Sequence, residues 1–102
     1  MSGMFLEPES TFAVSVVKKG RADFEVVDGG PIVLTTATGR KYAKLMALFR
    51  SEDAAGRYDA LADFVTAGLP KSDIDRMHPN AVAVLLFEVA KRSHVSETEA
   101  GN

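Results

Sequence analysis

The feature of this sequence that most constrains its fold is a change in the spacing of apolar residues at Thr38. Before Thr38, apolar residues recur at every second position, and a period of two gives a strand one apolar face. After Thr38 they recur at i, i+3, i+4 and i+7, which is the spacing of an amphipathic helix. The chain is therefore predicted to be α+β, with a small sheet first and three or four helices packed on one face of it.

Residues 11–36 are predicted to form three antiparallel strands arranged as a meander. The connections Lys18–Arg21 and Asp28–Gly30 contain the glycines that hairpin loops need for positive φ. An open meander has two edge strands, and the segment 12–17 is apolar enough to recruit a neighbouring copy, so a homo-oligomer is expected. The predicted inward residues are Phe12, Val14, Val16, Phe24, Val26, Ile32 and Leu34.

Three main helices are predicted at about 39–50, 52–67 and 79–93, with Ser51 as the N-cap of the second helix. A short helical turn is predicted at 72–75, ahead of Pro79. The predicted organisation is a flexible N-terminal arm (1–10), a single α+β domain (11–94) and an acidic C-terminal tail (95–102).

The last predicted helix is apolar on more than one side. One stripe is enough to pack it on its own domain, and Val84 and Phe87 point about 100° or more away from the centre of that stripe. We therefore predict a protein-binding surface at Val84 and Phe87, with Met4, Phe5 and Leu6 of the arm as further contact residues. Alternatively, the arm covers Val84 and Phe87 within the same chain. The stripe consists of Val82, Leu85, Leu86 and Val89.

No pattern in the sequence indicates catalysis. The chain has no cysteine, which excludes disulfides, thiolate zinc sites and a cysteine nucleophile. Nucleophile-elbow, Walker and dinucleotide-binding motifs are absent. Asp73, Asp75 and His78 could converge on a metal, but a helix start explains them better, and Asp59 and Asp63 are expected to form a solvated helix face. We expect a protein that is not an enzyme, with no catalytic, metal-binding or cofactor-binding residues.

Charge and hydropathy narrow the range of partners. The net charge is −2, and the basic clusters Lys18–Arg21 and Arg40–Lys44 are too sparse for a nucleic-acid surface. No window is apolar over the ~18–20 residues that a membrane span requires, and the N-terminus lacks the pattern of a secretory signal. We expect neither a nucleic-acid nor a membrane partner. An alternative is a small nucleic-acid-binding regulator that uses Lys18, Lys19, Arg21, Arg40 and Lys41.

Four segments of the C-terminal part carry a resemblance to a known family. They are Tyr58-Asp-Ala-Leu-Ala-Asp-Phe-Val-x-Ala-Gly-Leu-Pro, Asp75-x-Met-x-Pro, the apolar helix ending Ala90-Lys-Arg-Ser, and Val95-Ser-Glu-Thr-Glu-Ala-Gly-Asn. Together they resemble tail assembly chaperones of long-tailed bacteriophages and prophages. The departures are His94, where the family usually has glycine, and Gly101, where it usually has lysine. The first half of the chain adds only a compatible order of strands and helices.

The resemblance implies a small, non-catalytic protein of the host cytoplasm that binds the tape-measure protein during tail assembly. It implies that the protein is absent from the finished virion, and that a longer form can arise by translational frameshifting. The alternative is a structural tail or head–tail joining protein that stays in the particle. A tape-measure protein is long, helical and apolar, so its chaperone needs exposed apolar surface and no chemistry.

Overall fold

The computed structural model describes the backbone of residues 9–101 and the side chains of residues 9–93. In that part of the chain a four-stranded antiparallel sheet is followed by helices that pack on one of its faces, which confirms the α+β prediction. The elements are β1 (Thr11–Lys18), β2 (Phe24–Asp28), β3 (Ile32–Thr35), α1 (Arg40–Arg50), α2 (Ala54–Phe64), β4 (Val65–Ala67), α3 (Lys71–Ile74) and α4 (Pro79–Gly101).

The order of the strands differs from that of the predicted meander. The sheet runs β2-β1-β3-β4, so β1 is an inner strand that pairs with β2 on one side and β3 on the other. β3 pairs with residues 11–14 of β1 and β2 pairs with residues 14–18, so segment 12–17 is not a free edge strand over its whole length. Recruitment of a neighbouring copy through this segment stays a prediction. The exposed edges of the sheet belong to β2 and β4.

The chain crosses β1 between β2 and β3, and Gly30 makes this crossing possible. The Ser15 hydroxyl donates a hydrogen bond of 2.7 Å to the Gly29 carbonyl, which holds the crossing chain against β1. Gly30 has a φ of 134°, and a Cβ there would lie 2.8 Å from the Val14 carbonyl oxygen. Only glycine fits this close approach of two backbones. The same glycines that suggested a hairpin loop instead permit a crossover.

The fourth strand was predicted as the end of the second helix. α2 ends at Phe64, and β4 then pairs with β3 through Val65 opposite Leu34 and Ala67 opposite Val33. Val65 and Thr66 are β-branched, which disfavours helix and suits a strand. Pairing with β3 decides between helix and strand for this segment. The pairing joins segments that are about 30 residues apart in the chain.

The core lies between the inward face of the sheet and α4. Except for Phe24, the predicted inward residues of the sheet are buried or packed against the core, and the predicted stripe of α4 is almost inaccessible to solvent. Phe24 is half-buried, and its ring lies 5.5 Å from that of His78. α4 also packs against α1 and α2. Ser93 is 3 % exposed, accepts a hydrogen bond of 2.7 Å from the Ala37 amide and donates one to the Val89 carbonyl. The stripe residues Val82, Leu85, Leu86 and Val89 are each at most 1 % exposed.

Two helix ends differ from the prediction. Asp53, not Ser51, caps α2 by accepting a hydrogen bond of 2.9 Å from the Gly56 amide, while Ser51 ends α1. α4 continues beyond residue 93 to Gly101, so its backbone runs through most of the predicted tail. Most of the predicted arm lies outside the described residues. Among the described residues, no helix combines the length and apolar character that crossing a bilayer requires.

Candidate interaction surface

Phe87 is an apolar side chain on the solvent side of α4. Among the described residues, two large hydrophobic residues are exposed, Phe87 at 56 % and Val17 at 41 %. The flanking residues Leu86 and Leu85 are fully buried. Because ~3.6 residues make one turn, Phe87 points away from the face that α4 turns to the core. Phe87 is therefore exposed because of its position on α4, although other residues of the helix are well packed.

The Phe87 ring is held in place by a second aromatic ring from α1. The centroids of Phe49 and Phe87 lie 4.7 Å apart with an angle of 24° between the ring planes, a stacked arrangement. Phe49 is partly buried against the core, so it anchors one side of the exposed ring. We call Phe49, Val84 and Phe87 the aromatic patch. Interfaces are enriched in aromatic residues of this kind, because they bring large contact area with few rotatable bonds.

Two of the five predicted protein-binding residues lie among the residues whose side chains are described. Phe87 is exposed, and Val84, one helical turn before it, is partly buried. Met4, Phe5 and Leu6 lie outside the described residues. Phe49 is not among the predicted protein-binding residues, because the spacing of apolar residues within α1 does not record a contact with α4. Phe49 lies in the last turn of α1, and it contacts both the core and the exposed Phe87 ring.

The rotation of α4 that exposes Phe87 is held by Arg92. Its guanidinium bonds Glu88 on the same helix at 2.7 Å, pairs with Asp28 at the end of β2, and lies 4.5 Å from the centre of the Phe12 ring. The hydrogen bond to Glu88, with a smaller one to Asp28, raises the pKa of Arg92 above its ordinary value. One side chain thus ties α4 to both β1 and β2.

A groove between α1 and α2 lies on another side of α1. Its cavity volume is about 550 Å³. Lys41 and Lys44 stand on the α1 wall, and Asp59 and Asp63 stand on the α2 wall, so the walls carry opposite charge. Asp59 and Asp63, predicted as a solvated face, are exposed residues that also border this groove. The apolar part of the groove is formed by Leu45, Leu48, Ala60 and Phe64.

The residues considered for metal chemistry have structural roles here. His78 Nδ1 accepts a hydrogen bond of 3.0 Å from the Asn80 amide at the start of α4, and its ring lies 5.5 Å from that of Phe24. Asp73 lies in the first turn of α3. Within the part of the chain that the structure describes, no group of three His, Asp or Glu side chains is placed to hold a metal ion. The arrangement at His78 suits helix capping.

Comparison with protein-family models, with curated proteins and with solved structures yields no match to this chain.

Proposed function

We propose that this protein is a non-catalytic tail assembly chaperone of a long-tailed bacteriophage or prophage. It binds the tape-measure protein in the host cytoplasm and keeps that protein soluble until the tail assembles. The observation that carries the proposal is the exposed Phe87 ring stacked on Phe49. The resemblance of the last 45 residues supplies the identity of the partner.

The aromatic patch suits an apolar stripe on a helix. A phenylalanine side chain can bury about 150–250 Å² in a contact, and anchors of this type dominate the energy of many interfaces. Phe87 is already restrained by Phe49, so little conformational freedom is lost when a partner covers it. A helix of the tape-measure protein would shield the ring while the protein shields that helix from aggregation.

A patch this small gives weak binding per copy, and a long client compensates by binding many copies. If copies also contact one another, each binding event raises the effective concentration of the next, and avidity can exceed single-site affinity by roughly 10²–10⁴. This is why a homo-oligomer belongs to the proposal. Sedimentation over a range of concentrations, with and without client, measures the self-association.

The test is co-expression with a tape-measure protein of a long-tailed phage, comparing the soluble fraction of that client. Phe87→Glu keeps good helix propensity and removes the exposed ring. Val17→Glu is the matched control, because it also replaces an exposed large hydrophobic residue, on the opposite side of the sheet. We expect wild type and Val17→Glu to keep the client soluble and Phe87→Glu to lose it, with circular dichroism showing all three folded.

A Phe87→Glu protein that is folded and still keeps the client soluble would contradict the proposed site.

Mass spectrometry of purified phage particles tests whether the protein is an assembly chaperone or a structural component. We expect the protein to be absent from finished particles. Its presence at a fixed copy number would instead establish a structural tail or head–tail joining component. A salt-dependent shift in the electrophoretic mobility of DNA by the purified protein would instead favour the alternative of a small nucleic-acid-binding regulator.

A further inference from the structure

The groove between α1 and α2 has an apolar floor between two walls of opposite charge. Leu45 and Phe64, at the bottom, are at most 4 % exposed, whereas Leu48 and Ala60 are partly accessible to solvent. Residues 51–53 join the two helices, so Leu48 lies near the closed end of the groove. Each helix has 11 residues and is about 16 Å long at ~1.5 Å per residue. The two helices therefore present a short apolar strip with charge on both sides.

The charges of the walls form two rows along the groove. Lys41 and Lys44 are three residues apart on α1, so they share one side of that helix. Asp59 and Asp63 are four residues apart on α2 and likewise share a side. All four side chains belong to exposed residues. Because the helices are joined at one end, Lys44 and Asp59 lie nearer that end, and Lys41 and Asp63 lie towards the open end.

The described chain leaves most of these charges available. Among the described side chains, Lys44, Asp59 and Asp63 take part in no ion pair. Lys41 lies 3.8 Å from the carboxylate of Glu9, and both side chains are more than half exposed, so this pair contributes little stability. Neither row is therefore neutralised by a strong contact within the described residues.

A positive row and a negative row on either side of an apolar strip are complementary to a second copy of the same surface. When the copy is related by a two-fold axis that runs along the groove, between the two molecules, its lysine row lies over the aspartate row and its aspartate row over the lysine row. A two-fold axis across the groove would instead bring like charges together, which is unfavourable. Charge therefore selects one orientation of the second copy.

We propose that two copies of this protein associate through the α1/α2 face, with their apolar strips in contact. Lys44 of each copy pairs with the partner's Asp59, and Lys41 pairs with the partner's Asp63. Two helices of this length offer less than the ~800 Å² per partner of a standard interface, so the dimer is weak, with a dissociation constant between about 1 µM and 1 mM. The apolar contact supplies affinity and the four ion pairs supply the orientation.

The dimer leaves the aromatic patch free. The groove and the patch lie on different sides of α1, so Phe87 stays exposed in both copies. This inference goes beyond the proposed function, because it uses no property of a client. It also identifies a surface for self-association that differs from segment 12–17 of the sheet.

Charge reversal tests the pairing between copies. Lys41→Glu/Lys44→Glu makes both walls acidic, and Asp59→Lys/Asp63→Lys makes both walls basic. Glutamate suits the first turn of α1 and lysine suits the last turn of α2, so both variants should stay folded by circular dichroism. In sedimentation, we expect the dissociation constant for self-association to rise about tenfold or more in each variant alone, because every pair becomes repulsive. In an equal mixture every pair is attractive again, so a heterodimer should form about as tightly as the wild-type dimer.

A matched control separates this pairing from general attraction between proteins of opposite charge. Lys18→Glu/Lys19→Glu also replaces two exposed lysines by glutamates, but outside the α1/α2 face. A fluorescent label on Asp59→Lys/Asp63→Lys reports the association of that protein alone. We expect the labelled protein to associate with Lys41→Glu/Lys44→Glu and to associate much more weakly with Lys18→Glu/Lys19→Glu, although both partners carry the same net charge.

Three outcomes of sedimentation would overturn the inference. They are a wild-type protein that stays monomeric up to about 1 mM, reversed variants that self-associate as tightly as wild type, and equal association of the labelled protein with both partners. Reversed variants that lose client solubility without any change in self-association would show that the groove binds the client instead. Self-association is measured without client, and client binding is tested with Phe87→Glu, so the two proposals can fail separately.

A second measurement needs no substitution. In a dilution series of the wild-type protein, amide chemical shifts should change with concentration at Lys44, Leu48 and Ala60 and stay constant at Phe87. Shifts that change only in segment 12–17 would place the second copy on the sheet, and shifts that do not depend on concentration would show that no dimer forms. Either result would overturn the inference.

Discussion

The two faces of α4 carry similar residues and meet different surroundings. On the inward face Leu85, Leu86 and Val89 are fully buried by the sheet and the other helices, while on the outward face Phe87 is 56 % exposed. Leu85, Leu86 and Val89 are enough to pack the helix against the core, so the fold does not require an apolar side chain at Phe87. An apolar residue that the core does not use is therefore more informative about partners than the apolar content of the helix as a whole.

The largest difference between the two faces should appear in stability. Leu86→Ala removes a fully buried side chain and leaves a cavity, so we expect the free energy of unfolding to fall by about 2–5 kcal/mol. Urea denaturation measures this change, with Phe87→Ala as the comparison. If Phe87→Ala lowered the free energy of unfolding as much as Leu86→Ala, the outward face of α4 would belong to the core, and the distinction between the two faces would be wrong.

A smaller effect is expected where Arg92 fixes the rotation of α4. Arg92→Met keeps the aliphatic stem but removes the bonds to Glu88 and Asp28, leaving the mostly buried Glu88 carboxylate without its partner. We expect a loss of roughly 1.5 kcal/mol, at the low end for hydrogen bonds to charged groups because part of the Arg92 side chain is exposed. Thermal or urea unfolding of both proteins measures it.

The pH dependence of this difference follows from the pKa of Arg92. That pKa is raised above its ordinary value in the folded protein, so the stabilising contribution is fully present below the unfolded-state pKa and is lost only as the pH rises through the folded-state pKa. The difference between wild type and Arg92→Met should therefore be the same at neutral and mildly alkaline pH. A difference that disappears in this range would mean that Arg92 acts through another group.

The stack of Phe49 on Phe87 should contribute less again. A double-mutant cycle with Phe49→Leu and Phe87→Leu isolates the interaction, because leucine keeps apolar bulk at both sites. We expect a coupling energy of about 0.5–1.5 kcal/mol, typical of aromatic pairs. Coupling close to zero would show that the exposed ring is not held by α1, and would weaken the argument that the patch is preorganised for a partner.

The smallest effect is expected on the outer face of the sheet. Val17 lies opposite Glu25 and is exposed at 41 %. Val17→Thr keeps a β-branched side chain on a strand, so the free energy of unfolding should change by no more than about 0.5 kcal/mol. A large loss in the urea transition would show that Val17 is covered, for example by a second copy, and would make the sheet a competing interaction surface.

Local patterns predicted the helices and the faces of the strands well. Alternation assigned Val14 and Leu34 inward, and the 3.6-residue period identified the stripe that includes Leu85. The same period predicted that Phe87 points away from this stripe and is not needed to pack α4. Such predictions succeed because the side-chain direction within one element follows from its own backbone geometry. They failed at the end of α2, where the residues after Phe64 form a strand through pairing with β3.

By itself, the sequence determined which residues face together within each strand and helix, and which apolar residue on α4 is left over. Tertiary structure decided the position of β1 inside the sheet, because the crossing at Gly30 depends on two backbones meeting. It also decided that Phe49 supports Phe87, and that Lys41 and Asp63 border one groove. Each of these features joins residues that are far apart in the chain, and no local period records such a contact.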